Sequence, residues 1–228
     1  MSRPFIVAID GPAGAGKSSV SKLLARRLGF ALVDTGAIYR SVALQAQREQ
    51  IAFTDDVALE ALLGRLRITF QVEGEDNRVF LSGEDVSALI RAPDISLGAS
   101  AVSSRPVVRA GLLALQRRLA LETATGAILE GRDIGTVVFP DADAKFFLEA
   151  NPEIRARRRY EELFQKGTER GLEEVLADQN KRDGDDASRA IAPLKAADDA
   201  VRVDSTSMPL SEVVRLVERS IRLKLSGS

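Results

Sequence analysis

Residues 11 to 18 read Gly11-Pro12-Ala13-Gly14-Ala15-Gly16-Lys17-Ser18. The spacing G-x-x-x-x-G-K-[ST] suits one kind of chemistry, the cradling of phosphate. Glycines let the backbone curl until several N–H groups point inward at an anion. Lys17 can follow charge on the β- and γ-phosphates, and the Ser18 hydroxyl can bind Mg²⁺. Ser19 continues the same junction into a helix, whose positive N-terminal end adds to the attraction. A glycine-rich turn can match such a pattern by chance, so its flanks decide. Phe5 to Ile9 is a continuous apolar run that suits a buried parallel strand. After Ser18, residues Val20, Leu23, Leu24 and Leu28 keep helical spacing up to Gly29. Strand, loop and helix stand in the required order, so the stretch reads as a P-loop that uses a nucleoside triphosphate.

Composition narrows the chemistry. The 228 residues include no cysteine and no histidine. Thiolate nucleophiles, disulfides, imidazole acid–base catalysis and His-ligated zinc are excluded. Carboxylates, Lys, Arg, hydroxyls and bound Mg²⁺ remain, and phosphoryl transfer can run on that set. With 32 basic and 33 acidic side chains the net charge is −1, which argues against bulk binding to nucleic acid or membrane. The five apolar residues before Asp10 are too few for a signal peptide, and no stretch has membrane-spanning length. The expectation is a cytoplasmic enzyme, monomeric, organised as one domain over 1–228 with insertions.

The elements that must position these residues follow along the chain. Ala31 to Val33 is a short strand ending at Asp34, and a helix is expected from Ala37 to Gln47 with Thr35 as its cap. From Leu66 the pattern changes. Ile68, Phe70 and Val72 alternate with Thr69 and Gln71, Glu73 to Asn77 makes a turn, and Val79 to Leu81 makes a second strand. Pro106 opens a helix with Val108, Leu112, Leu115 and Leu119 on one face. Ala127 to Leu129 leads into Glu130-Gly131-Arg132-Asp133, and Ala144 to Leu148 is another strand. Asn151-Pro152 starts a helix carrying Arg155, Arg157, Arg158 and Arg159. Glu173 to Lys181 is expected helical, leading into a polar loop Arg182-Asp-Gly-Asp-Asp186-Ala-Ser-Arg189. Val201 to Val203 is a last strand, and a helix over 209–225 closes the chain with Leu210, Val213, Val214, Val217, Ile221 and Leu225 inward. Alternating strands and helices imply an α/β fold with a central parallel sheet flanked by helices. Ligands then belong at the carboxyl ends of the strands, where Asp10, Asp34 and Arg132–Asp133 fall.

Four motifs together, the P-loop, Asp34-Thr35-Gly-Ala-Ile-Tyr-Arg40, Glu130-Gly-Arg-Asp-Ile-Gly-Thr136 and Arg182-Asp-x-x-Asp186-x-x-Arg189, make the chain resemble the bacterial cytidylate kinases along nearly its whole length. The resemblance implies a P-loop nucleoside monophosphate kinase that moves the γ-phosphoryl group of ATP to CMP or dCMP with Mg²⁺. It implies a β-rich insert over 66–92 and a helical lid over 151–170. It assigns Gly11 through Ser19 to ATP and Ser18 to the metal. It places Ser100, Arg109 and Asp133 around the cytosine, and Arg40, Arg132 and Arg189 on the acceptor phosphate. Arg182 and Asp186 fall on the sugar side, Thr35 joins the CMP site, and Arg158 and Arg159 act catalytically with Lys17 from the lid. Thr35 stands where the family often has Ser, and Glu130 where Asp is frequent; hydroxyl and charge are both kept.

Each cluster also has a plainer reading. Arg40 could be a solvated helix residue, and the arginine run of 155–159 a charged helix surface. The 182–189 stretch could be a loop held by exposed ion pairs, although such pairs stabilise by only ~0–1 kcal/mol. The insert could serve packing or dimerisation. Asn180-Lys181-Arg182-Asp183 matches a guanine-reading pattern, but no D-x-x-G switch spacing accompanies it. A small-metabolite kinase and a slow nucleotide-dependent switch stand as the competing functions.

Overall fold

The computed structural model describes residues 3–73, 76–165, 167–168 and 170–227. Two compact units emerge, one from residues 1–31 with 123–228 and one from residues 32–122.

The first unit opens with strand β1 (Phe5–Asp10), whose residues from Ile6 onward are buried. The P-loop follows, then helix α1 (Lys17–Leu28), which ends on Gly29 in the left-handed conformation. After the second unit's residues come β6 (Gly126–Gly131), β7 (Ala144–Glu149), α6 (Pro152–Gln165), α7 (Leu172–Ser188), β8 (Val201–Asp204) and α8 (Leu210–Ser226). Strand β1 pairs in parallel with β6 and with β7, and β7 in parallel with β8. With β2 (Ala31–Asp34) at the edge, the sheet has five strands in the order β2-β6-β1-β7-β8. All six residues of β6 are buried, as a strand covered on both faces requires. Helix α1 packs against α8 and β6, while α6 and α7 pack on each other. Helix α8 buries Val213, Val214, Val217 and Ile221. Leu210 and Leu225, expected on the same inner face, are exposed, because they lie in the terminal turns beyond the packed stretch.

The second unit contains α2 (Thr35–Arg48), α3 (Asp56–Arg65), β3 (Ile68–Glu73), β4 (Asp76–Leu81), β5 (Glu84–Asp85), α4 (Pro93–Ser103) and α5 (Pro106–Leu121). Helix α2 packs on α4, and α3 on α5. The three short strands form a separate antiparallel sheet in the order β3-β4-β5, as the alternation from Ile68 suggested. Of the alternating Ile68, Phe70 and Val72 on β3 only Ile68 is buried, and Val72 is 72% exposed, while Val79 and Leu81 of β4 are buried. Gly74 and Glu75 of the expected turn lie outside the described residues. The α2 boundary differs from the expected one: the Asp34 carboxylate caps the helix by accepting from the Ala37 N–H at 2.9 Å, and Thr35 is already helical. A carboxylate at this position satisfies a free N–H and suits the positive helix end.

Among the described residues, no helix is long and apolar enough to cross a membrane.

Candidate active site

In the first unit, the P-loop leaves β1 at Gly11, whose φ of +145° is closed to other residues. A Cβ there would lie 2.0 Å from the Leu148 carbonyl oxygen of β7. The loop therefore runs hard against its neighbouring strand. Gly16 is the left-handed N-cap of α1, so Lys17 and Ser18 begin the helix with their N–H groups free of intrahelical partners. Ser18 and Ser19 are exposed there. The Lys17 side chain is buried, and its Nζ donates to the Pro12 carbonyl at 2.8 Å. Burial pushes this ammonium down to about 7, and the Arg132 charge pushes the same way. Glu130, Asp10 and Asp186 act against them. The lysine is thus held folded back across its own loop.

The carboxyl ends of β1 and β6 lie beside it. Asp10 ends β1 and accepts from the Ile134 and Gly135 N–H groups, each at 2.8 Å. Burial lifts its carboxyl to about 6 despite those two donors. The same bonds pin the segment after β6, where Asp133 is buried and Ile134–Val138 forms one wide helical turn. In that turn the Val138 and Phe139 N–H groups reach back five residues, a geometry often met at functional sites. Glu130, buried near the end of β6, accepts from the Ser18 hydroxyl at 2.8 Å. A hydroxyl and a carboxylate that already touch form the hard oxygen donor set that Mg²⁺ favours, so these residues fit the ion.

Arg132 donates from Nε to Asp186 Oδ2 at 2.9 Å, and Arg189 pairs with the other oxygen of the same carboxylate. The motifs around 132 and 186–189 therefore meet on one buried acid. The stretch expected as a polar loop is instead the second half of α7, which carries Arg182 and Asp186 one turn apart and ends at Ser188. Asn180 and Lys181 are mid-helix in α7, unlike a guanine-reading loop. On α6, Arg158 donates to Ser205, at 2.6 Å to its carbonyl and 3.2 Å to its hydroxyl. Arg159 pairs with Glu162 at 2.7 Å on the helix surface. Arg155 is the buried member of that run, and sequence reasoning gave it no role. Its only signal was its position one turn before Arg158.

In the second unit, Thr35 is buried and Arg40 is half-buried, paired with Asp34 at 2.9 Å. The buried Nε of Arg40 has no partner among the described residues. Arg109 is buried on α5, with its guanidinium 5.6 Å from the centre of the Tyr39 ring and one nitrogen donating to the Ser103 carbonyl at 3.1 Å. Ser100 lies half-buried on α4, and its carbonyl accepts from the Ser103 hydroxyl. Thr35 and Arg40 on α2, Ser100 on α4 and Arg109 on α5 thus belong to one helical layer.

The cytidylate kinase family model matches residues 7–223. A cytidylate kinase from Geobacter sp. (strain M21) is 54% identical over 97% of this chain and 94% of its own length. One from Geobacter sulfurreducens is 54% identical over 96% and 94%. Another, from Caldanaerobacter subterraneus subsp. tengcongensis, is 48% identical over 97% and 96%. A match that runs almost end to end, through every motif described above, shows that the chain belongs to the cytidylate kinase family.

Proposed function

We propose that the chain transfers the γ-phosphoryl group of ATP to CMP or dCMP, giving ADP and CDP or dCDP. One observation carries this beyond the family match. Lys17 of the P-loop lies in the same charge field as Arg132, Glu130, Asp10 and Asp186. A triphosphate loop is therefore bordered by paired arginines that could hold a second phosphate, as a kinase with a phosphorylated acceptor needs.

The residues act as follows. Backbone N–H groups of 11–16 bind the triphosphate, with Ser18 and Ser19 at its mouth. Lys17 swings from the Pro12 carbonyl to the phosphate charge. Arg132 and Arg189 exchange the Asp186 carboxylate for the acceptor phosphate, joined by Arg40, and Asp186 with Arg182 turns to the sugar. Thr35 completes this acceptor set, and Ser100, Arg109 and Asp133 face the base. An oxygen of the CMP phosphate attacks the γ-phosphorus while the bond to the ADP oxygen breaks. That nucleophile is already ionised at neutral pH, since a phosphate monoester loses its second proton near pH ~6. No general base is needed, which agrees with a chain lacking histidine. Ser18 and Glu130 would hold Mg²⁺, which supplies charge neutralisation on the β- and γ-phosphates. Arg158 and Arg159 reach the transferring group when segment 151–170 closes as a lid, excluding water. The 66–92 insert belongs to the monophosphate side, and the enzyme works as a cytoplasmic monomer.

The test is release of ADP measured with one acceptor at a time. Rapid turnover is expected with CMP and dCMP and little with AMP, gluconate or shikimate. Fast turnover with a sugar acid, or none with any small acceptor, would replace this reading. Lys17→Ala is expected to abolish the activity and leave the fold intact, because the deleted cation serves the transferring charge.

A further inference from the structure

Two carbonyls of the P-loop are captured from outside the loop. The Ser205 hydroxyl donates to the Ala15 carbonyl at 3.1 Å. Arg155 of α6 donates to the Ala13 carbonyl at 3.0 Å. The same guanidinium donates to the Ala150 carbonyl from its Nε at 2.9 Å and to the Asp183 carboxylate of α7 from its Nη1. Its side chain is only 5% exposed, so it is locked by partners on three segments. The backbone itself comes close, because a Cβ on Gly14 would meet Arg155 Cβ at 3.0 Å and the Arg155 carbonyl at 3.1 Å.

This geometry bears on phosphate binding through the peptide unit between Ala13 and Gly14. A peptide is planar and trans, so its C=O and N–H point in opposite directions. Holding the Ala13 carbonyl outward turns the Gly14 N–H inward. Gly14, with φ +75°, has the freedom to flip that peptide, and no side chain of its own opposes the flip. We infer that Arg155 is a positioning residue for the triphosphate: it fixes the Ala13–Gly14 peptide so that its N–H faces the phosphates, and it never touches the nucleotide. The inference rests on the P-loop binding a triphosphate and is independent of which acceptor is used.

Two variants and a control test it. Arg155→Met keeps the stem and removes every donor. Arg155→Lys keeps one charged donor without the fork. Asp183→Asn weakens the α6–α7 ion pair and leaves the bond to Ala13 in place. Binding of ATP and of inorganic tripolyphosphate is measured by calorimetry, binding of CMP likewise, and melting temperature alongside. Arg155→Met is expected to weaken both triphosphate ligands by about tenfold and CMP by less than about twofold, with Arg155→Lys in between. Asp183→Asn is expected to lower the melting temperature and leave ATP binding near wild type. Wild-type affinity for tripolyphosphate in either folded Arg155 variant overturns the inference. So does an equal loss of CMP and ATP affinity, or an ATP loss in Asp183→Asn as large as in Arg155→Met. Failure of both Arg155 variants to fold would make the residue structural and overturn it as well. If CMP proved not to be the acceptor, the tripolyphosphate arm would still decide.

Discussion

Asp10 accepts two backbone hydrogen bonds and is nevertheless pushed up from 3.8 to about 6, because burial outweighs both donors. A carboxyl whose folded value is raised binds its proton more tightly folded than unfolded. Its contribution is fully present below pH 3.8 and is lost as pH rises through about 6. The shift corresponds to a loss on the order of 3 kcal/mol across that window. Relative to Asp10→Asn, the ligand-free wild type is therefore expected to lose stability between pH 4 and 7, read from urea midpoints. A constant difference across that range would remove Asp10 as the titrating group. Asp133 supplies a second test. Cytosine offers an amino group at C4 where uracil offers an oxygen, and a carboxylate can only accept. If Asp133 reads the amino group, UMP leaves a buried charge facing an oxygen, a penalty of roughly a thousandfold or more. Asparagine can present either end of its amide. Asp133→Asn should lose activity on CMP and shrink the CMP-to-UMP ratio of kcat/KM; an unchanged ratio would assign Asp133 to orienting the segment after β6.

At the scale of the element, the P-loop depends on how closely it passes β7. Gly11→Ala would drive a Cβ into the backbone of Leu148, and backbone cannot step aside as a side-chain tip can. A cost above about 3 kcal/mol is expected, visible as a collapse in melting temperature and ATP binding. Near-normal stability would mean that the loop can leave the strand freely. The P-loop was legible because its glycines mark backbone requirements that survive in one letter each. The strands β1, β6 and β7 were legible as apolar runs. Helix α7 was only half legible. Its second half, Lys181 to Ser188, has no apolar period and contains Gly184, so nothing local favours a helix. What holds it is non-local: Arg155 on Asp183 and Arg132 on Asp186. The cap of α2 escaped for a different reason, because Asp34 and Thr35 are both good caps and only geometry chooses between them. Arg155 was hidden by its neighbours, since four arginines in five positions look like one charged surface and burial singles out one.

Across the whole molecule, positive and negative charges nearly balance and many are paired at the surface, as in Arg48–Glu84, Arg78–Asp85 and Arg222–Glu218. Such pairs are worth little and are screened by salt. The cores of both units are apolar. Raising NaCl from about 0.05 to about 0.5 M is therefore expected to move the melting temperature by less than about 3 °C. The same change should raise the KM of both nucleotides if arginines and Lys17 meet their phosphates as proposed. A large loss of stability in salt would show that the ion pairs, and not the cores, hold the chain.

The order of strands has one more consequence, which concerns the chain as it is made. Strand β1 leaves the ribosome long before both of its partners: Phe5 aligns with Gly126 of β6, and Val7 with Ala144 of β7. Closing so long a loop is entropically costly and slow. Through the synthesis of the whole second unit, the nascent P-loop has no strand to lean on and no Leu148 beside Gly11. Helices α2 to α5 and their small sheet, whose contacts are short-range in the chain, can form in that interval. The P-loop is translated before the whole second unit and acquires its shape only after β7 emerges.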